Sequence, residues 1–360
     1  MTQHTFTRHG ALLTPVPNMV GPGPYYCCLV DMKQVPDFAG DYALYFSTDH
    51  DSGAGGIWLY VCNGSPTDPA AWRSFDAALA AGDFHHLGAG PQANPIFVDP
   101  IQGTGHTETP HVNVIDGTVY MTYHKNGIED TQRTLLATST DGVCFSRIQG
   151  EDDSVILRYQ PGDRPGNGHT GYFRWARNRF TAIPHKYVGY SLHGGGDDYH
   201  SAIWASDDAI NWQELDVLKP IEGHAMPDQN MMLIWHDIDP GSVTPLGNGE
   251  YVAVCGGGNR ASGDVSRVVE LYEIFLAEDG RTLTRQSRRI LGTRPGDDDA
   301  EELSSPTSLV VDGTQHLIYV GAKDRGTVNT VMGASGVFDV QAPVSVPLPA
   351  AQRARHVVCQ

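Results

Sequence analysis

TPHVNVIDGTVYMTYH, Thr109 to His124, reads as two strands joined by a tight turn: an apolar alternation, then Asp116-Gly117, then a returning alternation. SPTSLVVDG, Ser305 to Gly313, repeats the first half, and TQHLIYV supplies its return. Three further returns follow a turn residue in the same way: DYALYFS after Gly40, RFTAIPH after Asn178 and EYVAVCG after Gly249. The five turn markers, Gly40, Gly117, Asn178, Gly249 and Gly313, lie 61 to 77 residues apart, enough for a four-stranded antiparallel sheet with elaborated loops in each interval.

The later parts of the units correspond as well. LLATSTDGVCF and AIWASDDAINW each place an Asp four residues before an aromatic, at Asp141/Phe145 and Asp208/Trp212, and ELYEIFLAEDGRTL is a looser version. In each, the Asp is expected to organise a hairpin turn while the aromatic packs between sheets. Five such units predict an all-β chain: a five-bladed β-propeller of antiparallel four-stranded sheets, forming a single domain over residues 1–360. Two stacked β-sandwiches are the alternative, disfavoured because the repeats cross any midpoint. Helical periodicity is scarce, with AAWRSFDAALAAG predicting one short inserted helix over 70–82.

Composition agrees with a turn-rich β protein. The 41 Gly and 23 Pro among 360 residues lie between aromatic and β-branched runs, which points to turns rather than disorder. The formal charge of −18 argues against nucleic acid or another polyanion as partner and favours a neutral oligosaccharide. Residues MTQHTFTRHGALLTPVP contain no long apolar run, and no 18-residue apolar stretch follows, so neither a secretory signal nor a membrane span is expected. Cytoplasm is the expected location, a mature extracellular protein the lesser one. The six cysteines, Cys27, Cys28, Cys62, Cys144, Cys255 and Cys359, show neither disulfide-scaffold density nor paired metal-knuckle spacing, and are read as reduced structural thiols. Oligomeric partners are unknown.

Counting nine residues back from each turn marker places Asp31, Glu108, His169, Pro240 and Ser304 at one shared position of the inner strands. That register assumes no bulge; a two-residue shift pairs His106 with His169 through the two GHT triplets. Asp31 and Glu108 then form a candidate carboxylate pair across a central hollow, Asp31 activating water and Glu108 donating a proton to a leaving oxygen, with His169 assisting. The bland reading has Asp31 capping backbone and Glu108 in an ordinary ion pair. His124-Lys125 and His185-Lys186 follow their turns at matching distances, so both histidines are candidates for sugar hydroxyls, or simply finish strands. His106, His111, Tyr25, Tyr26, Tyr172, Trp175, Trp235, Asp237 and Asp239 complete the candidate substrate-binding set, since aromatics stack on sugar faces while acids and histidines bind hydroxyls. Blade packing is the competing reading of these aromatics.

His106, His111 and His169 raise the question of a metal, but no compact ligand pair, Cys knuckle or continuous calcium loop supports one. No cofactor is required; an oxygen-rich structural calcium assembled across blades is possible. The acidic run Asp297, Asp298, Asp299, Glu301 and Glu302 reads as a solvated loop. LHGGGDDYH at 192–200 and CGGGNR at 255–260 read either as substrate-binding loops or as plain connections, and neither is a phosphate loop.

The TETPHV strand, its DGTVYMTYH return and the recurring D-x-x-x-aromatic hairpins resemble the five-bladed carbohydrate-active superfamily of arabinanases, β-xylosidases, fructosidases and neoagarooligosaccharide hydrolases. The resemblance is diffuse but spans most of the chain, and implies a distant member acting as a glycoside hydrolase on an oligosaccharide. Such enzymes place a general-base Asp in the first blade, another Asp in the second and an acid Glu in the third. Asp31 matches the first; Glu108 and His169 depart from the other two. A lyase using His or Tyr as base, or a noncatalytic carbohydrate-binding propeller, are the alternative functions.

Overall fold

The computed structural model describes residues 4–13, 23–48, 55–99, 107–126, 132–148, 154–158, 169–195, 198–219, 237–259, 268–323 and 328–338. They are nearly all β, arranged as successive antiparallel meanders, as expected of a propeller. β1 (His4–Ala11) stands apart from the first meander, which is β2 (Tyr25–Asp31), β3 (Tyr42–Ser47), β4 (Ile57–Cys62) and β5 (Trp72–Ser74). The second runs through β6 (Thr107–Ile115), β7 (Thr118–Asn126) and β8 (Gln132–Ser139), with the short β9 (Ser146–Arg147) and β10 (Val155–Leu157) along its outer edge. The third is β11 (His169–Arg177), β12 (Tyr187–Gly195), β13 (Asp198–Ser206) and β14 (Gln213–Val217). The fourth is β15 (Ile238–Pro245), β16 (Glu250–Asn259), β17 (Val268–Ala277) and β18 (Leu283–Leu291). The fifth comprises β19 (Glu302–Val311), β20 (Thr314–Lys323) and β21 (Val328–Phe338), and β1 pairs antiparallel with β21 as its fourth strand.

The first strands of the meanders touch one another in sequence: β2 with β6, β6 with β11, β11 with β15, β15 with β19, and β19 with β2. Apolar clusters lie between successive meanders. One packs Tyr45 and Leu59 against Met121 and Tyr123, another Phe173 and Trp175 against Leu157, a third Tyr190 against Ile238 and Ile274. Leu271 meets Leu317 and Tyr319, and Leu44 with Phe46 meets Ile318 and Val320. Alternating apolar side chains on both faces of each sheet make this possible, and burying them is the main stabilising term.

Asp116-Gly117 and Asp312-Gly313 are the expected two-residue turns, with φ of 49° and 79° in the first and 50° and 78° in the second, the doubly left-handed geometry that matches strand twist. The outer hairpins also form as read. Asp141 Oδ1 accepts from the backbone N–H of Val143 (2.8 Å) and Cys144 (2.7 Å), and Asp208 Oδ1 from Ile210 (2.9 Å) and Asn211 (2.7 Å). Phe145 packs against Tyr45 and Phe97, and Trp212 against Phe173 and Trp175.

The expected helix over 70–82 contracts to Phe75–Ala80, α1. Trp72–Ser74 instead pairs with β4 as an edge strand, and the Ser74 hydroxyl accepts from Ala77 N–H to start the helix there. The two glycine-rich segments contribute to strands: 192–195 and 198–200 pair across β12 and β13, and 255–259 belongs to β16. Asp299 is buried beside Arg8 and accepts from Tyr319 Oη at 3.0 Å, so the acidic run is only partly a solvated loop.

Candidate active site

Four of the five first strands carry the same irregularity near their start. In β2 the ladder skips between Tyr25 and Cys28, in β6 between Glu108 and His111, in β11 between Gly171 and Arg174, and in β19 between Ser304 and Thr307. In each, the residue after the last regular pair is left-handed: Tyr26 (φ 51°), Thr109 (49°), Tyr172 (52°) and Ser305 (53°). Such bulges re-aim side chains, and non-glycine residues hold these angles only where their surroundings compensate. Four strands thus present Tyr26, Thr109, Tyr172 and Ser305 at one level.

Glu108 lies opposite His124 in the β6–β7 ladder; both are fully buried and their side chains are in contact. The Thr109 hydroxyl lies 2.6 Å from His124 Nδ1 on the far side of the imidazole. The Tyr172 ring meets the His124 ring edge-on at 4.8 Å, and Tyr26 Oη donates to Tyr172 Oη at 3.3 Å with ring centres 4.9 Å apart. Burial, then the neighbouring Tyr172 and the charge of Glu108, raise the Tyr26 phenol well above its ordinary range, so it is a proton donor. Asp237 also contributes to that shift, which places a second carboxylate within electrostatic range of the same hydroxyl. Asp237 is held by Arg174 Nη2 at 3.1 Å and by Ser305 N–H, which donates at 2.6 Å. Arg174 also donates from Nη1 to the Pro306 carbonyl at 2.7 Å.

Tyr25, Tyr26, Glu108, His124, Tyr172 and Asp237 are therefore brought to one end of the first strands. Asp31 is not among them. It ends β2, three residues beyond Cys28, whose thiol is level with His111 and Val112, while Glu108 lies three residues before His111. Six residues at about 3.3 Å each separate the two levels by roughly 20 Å. Asp31 is exposed and accepts from Lys33 N–H at 3.0 Å, the local cap of the bland reading. The nine-residue count failed because the β2–β3 and β11–β12 connections are longer than the Asp-Gly turns. The bulges equate Glu108 with Tyr25 and Gly171 rather than with Asp31 and His169. His169 opens β11, paired with Gly194.

Other candidates are relocated too. Trp175 is completely buried, with its ring against Tyr120, Tyr187 and Trp212, so the ring packs between meanders as in the competing reading. His185 precedes β12 and meets Asp207 at 3.1 Å, far along the sheet from the level of His124, because the connection after Asn178 is long. His111 and Asp239 lie below the Glu108 level. His111 Nε2 pairs with the Trp175 carbonyl at 2.7 Å; burial and then nearby Arg174 push its pKa down to about 3, leaving it neutral. Asp239 accepts from Ser308 Oγ (2.8 Å) and Gly241 N–H (3.1 Å). His106 and Trp235 lie outside the described residues. Among the described residues no three His, Cys, Asp or Glu side chains converge as metal ligands, and no helix is long and apolar enough to cross a membrane.

Sequence reasoning missed Arg174, Thr109 and Ser305. Arg174 carried a signal: in GYFRWAR it interrupts an otherwise aromatic strand at a buried position. The roles of Thr109 and Ser305 depend on bulges, which leave no such mark.

This fold is shared with glycoside hydrolases of the propeller type, as a distant likeness. No protein-family model and no curated protein matches the chain. Among solved structures, it superposes on a glycosyl hydrolase from Bacteroides ovatus with a TM-score of 0.58 at 12% identity, covering 92% of this chain and 93% of that one. A structure from the GH130 family of mannoside phosphorylases, which contains glycoside hydrolases that target β-1,2 mannosidic linkages in Candida mannan, gives 0.57 at 16% identity, with 92% and 93% covered. The Bombyx mori GH32 β-fructofuranosidase BmSUC1 gives 0.54 at 15% identity over 90% of this chain; the match spans only 61% of that enzyme.

Proposed function

We propose that the chain is a five-bladed propeller acting as a glycoside hydrolase on a neutral oligosaccharide, with its site at the Glu108 end of the inner strands. The cyclic order of contacts between first strands, the apolar clusters between meanders and the pairing of β1 with β21 support five blades closed by the N-terminal strand. The observation that carries the functional reading is the buried Glu108–His124 contact, set beside the hydroxyls of Tyr26 and Tyr172.

Hydrolysis of a glycosidic bond needs a proton for the leaving oxygen and a second carboxylate to activate water or to attack the sugar carbon. Glu108 is assigned the proton transfer, with His124 as the positioning residue that orients it and Thr109 fixing the imidazole ring. Asp237 takes the second role in place of Asp31, because its charge, like that of Glu108, acts on the Tyr26 phenol while Arg174 and Ser305 fix its orientation. The half-buried rings of Tyr25, Tyr26 and Tyr172 offer apolar faces for sugar stacking.

The Tyr26–Tyr172 hydroxyl pair favours a second reading, elimination with Tyr as the base on a uronate. It is weaker because elimination needs a cation for the substrate carboxylate, and Arg174 is already engaged by Asp237 and the Pro306 carbonyl. Incubation with a panel of neutral and uronate-containing oligosaccharides separates the outcomes. New reducing ends without unsaturation, lost in Glu108→Gln, support hydrolysis. An unsaturated product establishes elimination, and binding without either product leaves a carbohydrate-binding protein.

A further inference from the structure

At the opposite end of the inner strands from Glu108, the same strands enclose a cavity of about 250 Å³. It is lined by all five: Cys28 to Asp31 of β2, His111 to Val114 of β6, Trp175 and Ala176 of β11, Asp239 and Gly241 of β15, and Thr307 to Leu309 of β19. Asp31, Gln34 and Gly241 are exposed and form its mouth; His111, Trp175, Asp239 and Thr307 are buried and form its inner end.

The lining has a definite chemical bias. Val30, Val112, Val114 and Leu309 give it apolar walls. Its charged groups are both carboxylates, Asp239 within and Asp31 at the mouth, and none of the described lining residues is Lys or Arg. Several of its polar donors are already used: Ser308 Oγ donates to Asp239, and Asn113 Nδ2 to the Trp175 carbonyl. The cavity therefore offers acceptors and negative charge beside hydrocarbon. A buried carboxylate without an opposite charge is costly, and a cation that enters compensates it. Arg174, the cation whose field reaches Asp239, is itself paired with Asp237.

We propose that this cavity is a binding site for a compact organic cation, a primary ammonium on a short aliphatic body, with the ammonium against Asp239 and the hydrocarbon between the valine and leucine walls. A hydrated metal ion fits less well, since half of the wall offers it no oxygen, and a polyol gains nothing from the charge. The site is separate from the Glu108 cluster, so its occupancy does not depend on the hydrolase reading.

Calorimetric titration of the whole protein with n-butylammonium chloride, at about pH 8 where Asp239 is ionised and at matched sodium chloride, tests it. The expected result is a saturable heat that falls at least about tenfold in affinity in Asp239→Asn and disappears in Ala176→Leu, which narrows the cavity without touching the carboxylate. No saturable heat overturns the proposal, as does binding undiminished in both variants. Calcium chloride or glycerol binding in place of butylammonium, with the same dependence on Asp239, also overturns it. Turnover is not the readout, so an inactive or unaltered Glu108→Gln enzyme bears on the hydrolase reading alone.

Discussion

Glu108 and His124 face each other across the β6–β7 ladder with both side chains fully buried, and Thr109, the next residue after Glu108, reaches the other nitrogen of the same imidazole. This closure is possible because Thr109 is left-handed and starts the bulge, which turns its hydroxyl back towards β7. A three-member chain of carboxyl, imidazole and hydroxyl results, with Glu108 against Nε2 and Thr109 against Nδ1 of His124.

Removing the proton donor should abolish most turnover. Glu108→Gln is expected to lower kcat/KM by about 10²- to 10⁴-fold while the circular dichroism spectrum and melting temperature stay near those of the parent. His124→Gln acts through Glu108, so it should lower kcat and also displace one limb of the pH–rate profile. An unaltered profile in His124→Gln would show that the imidazole only fills space.

Asp31→Asn should leave turnover within about twofold of the parent, since the side chain is exposed and roughly 20 Å along the strand from the level of Glu108. A loss comparable to that of Glu108→Gln would mean that the chemistry sits at the cavity end and not at Glu108.

The hairpin aspartates are expected to matter for stability instead. Burial pushes the Asp141 carboxyl up, but the N–H groups of Cys144 and Val143 and the Ser139 hydroxyl outweigh it, and the net shift is downward. Asp141→Ala leaves those donors without their anion and should cost about 1.5–3 kcal/mol, read as a lower urea midpoint with an unchanged m-value. Because the folded state favours the charged form, this contribution is present above the ordinary Asp range and is lost as pH falls through the lowered value.

Asp239 behaves in the opposite sense. Burial raises its pKa from 3.8 to about 6, against the hydrogen bond from Ser308 and the charge of Arg174. Between these values the folded protein holds a proton that the unfolded chain has released, so this group makes stability fall as pH rises from about 4 to about 6. Above that window the ionised group costs on the order of 3 kcal/mol. Asp239→Asn should therefore raise the melting temperature at pH 8, and the advantage should vanish towards pH 4; equal melting curves at both pH values would refute this.

Much of the architecture was legible because its causes are local. An Asp-Gly pair between apolar alternations has one favourable hairpin geometry, and an Asp four residues before an aromatic forms its turn with its own neighbours. Asp116-Gly117, Asp312-Gly313, Asp141 and Asp208 are therefore where the residues place them. The site was legible only in part. Glu108, His124, Tyr26, Tyr172 and Asp237 stand out in the sequence by type and position and come together at one end of the inner strands, whereas Asp31, Trp175 and His185 lie elsewhere. The error came from counting along strands whose connections differ in length and whose ladders contain bulges.

The sequence by itself determined an all-β chain of repeated hairpins, since side-chain period, turn residues and capping aspartates act over a few residues each. Only the tertiary structure decided that Glu108 meets His124 rather than Asp31, and that Asp31 and Asp239 belong to a cavity at the other end. Those placements depend on the unequal lengths of the strand connections and on where each ladder slips by one residue, and both are settled by packing between distant strands rather than by the residues nearby.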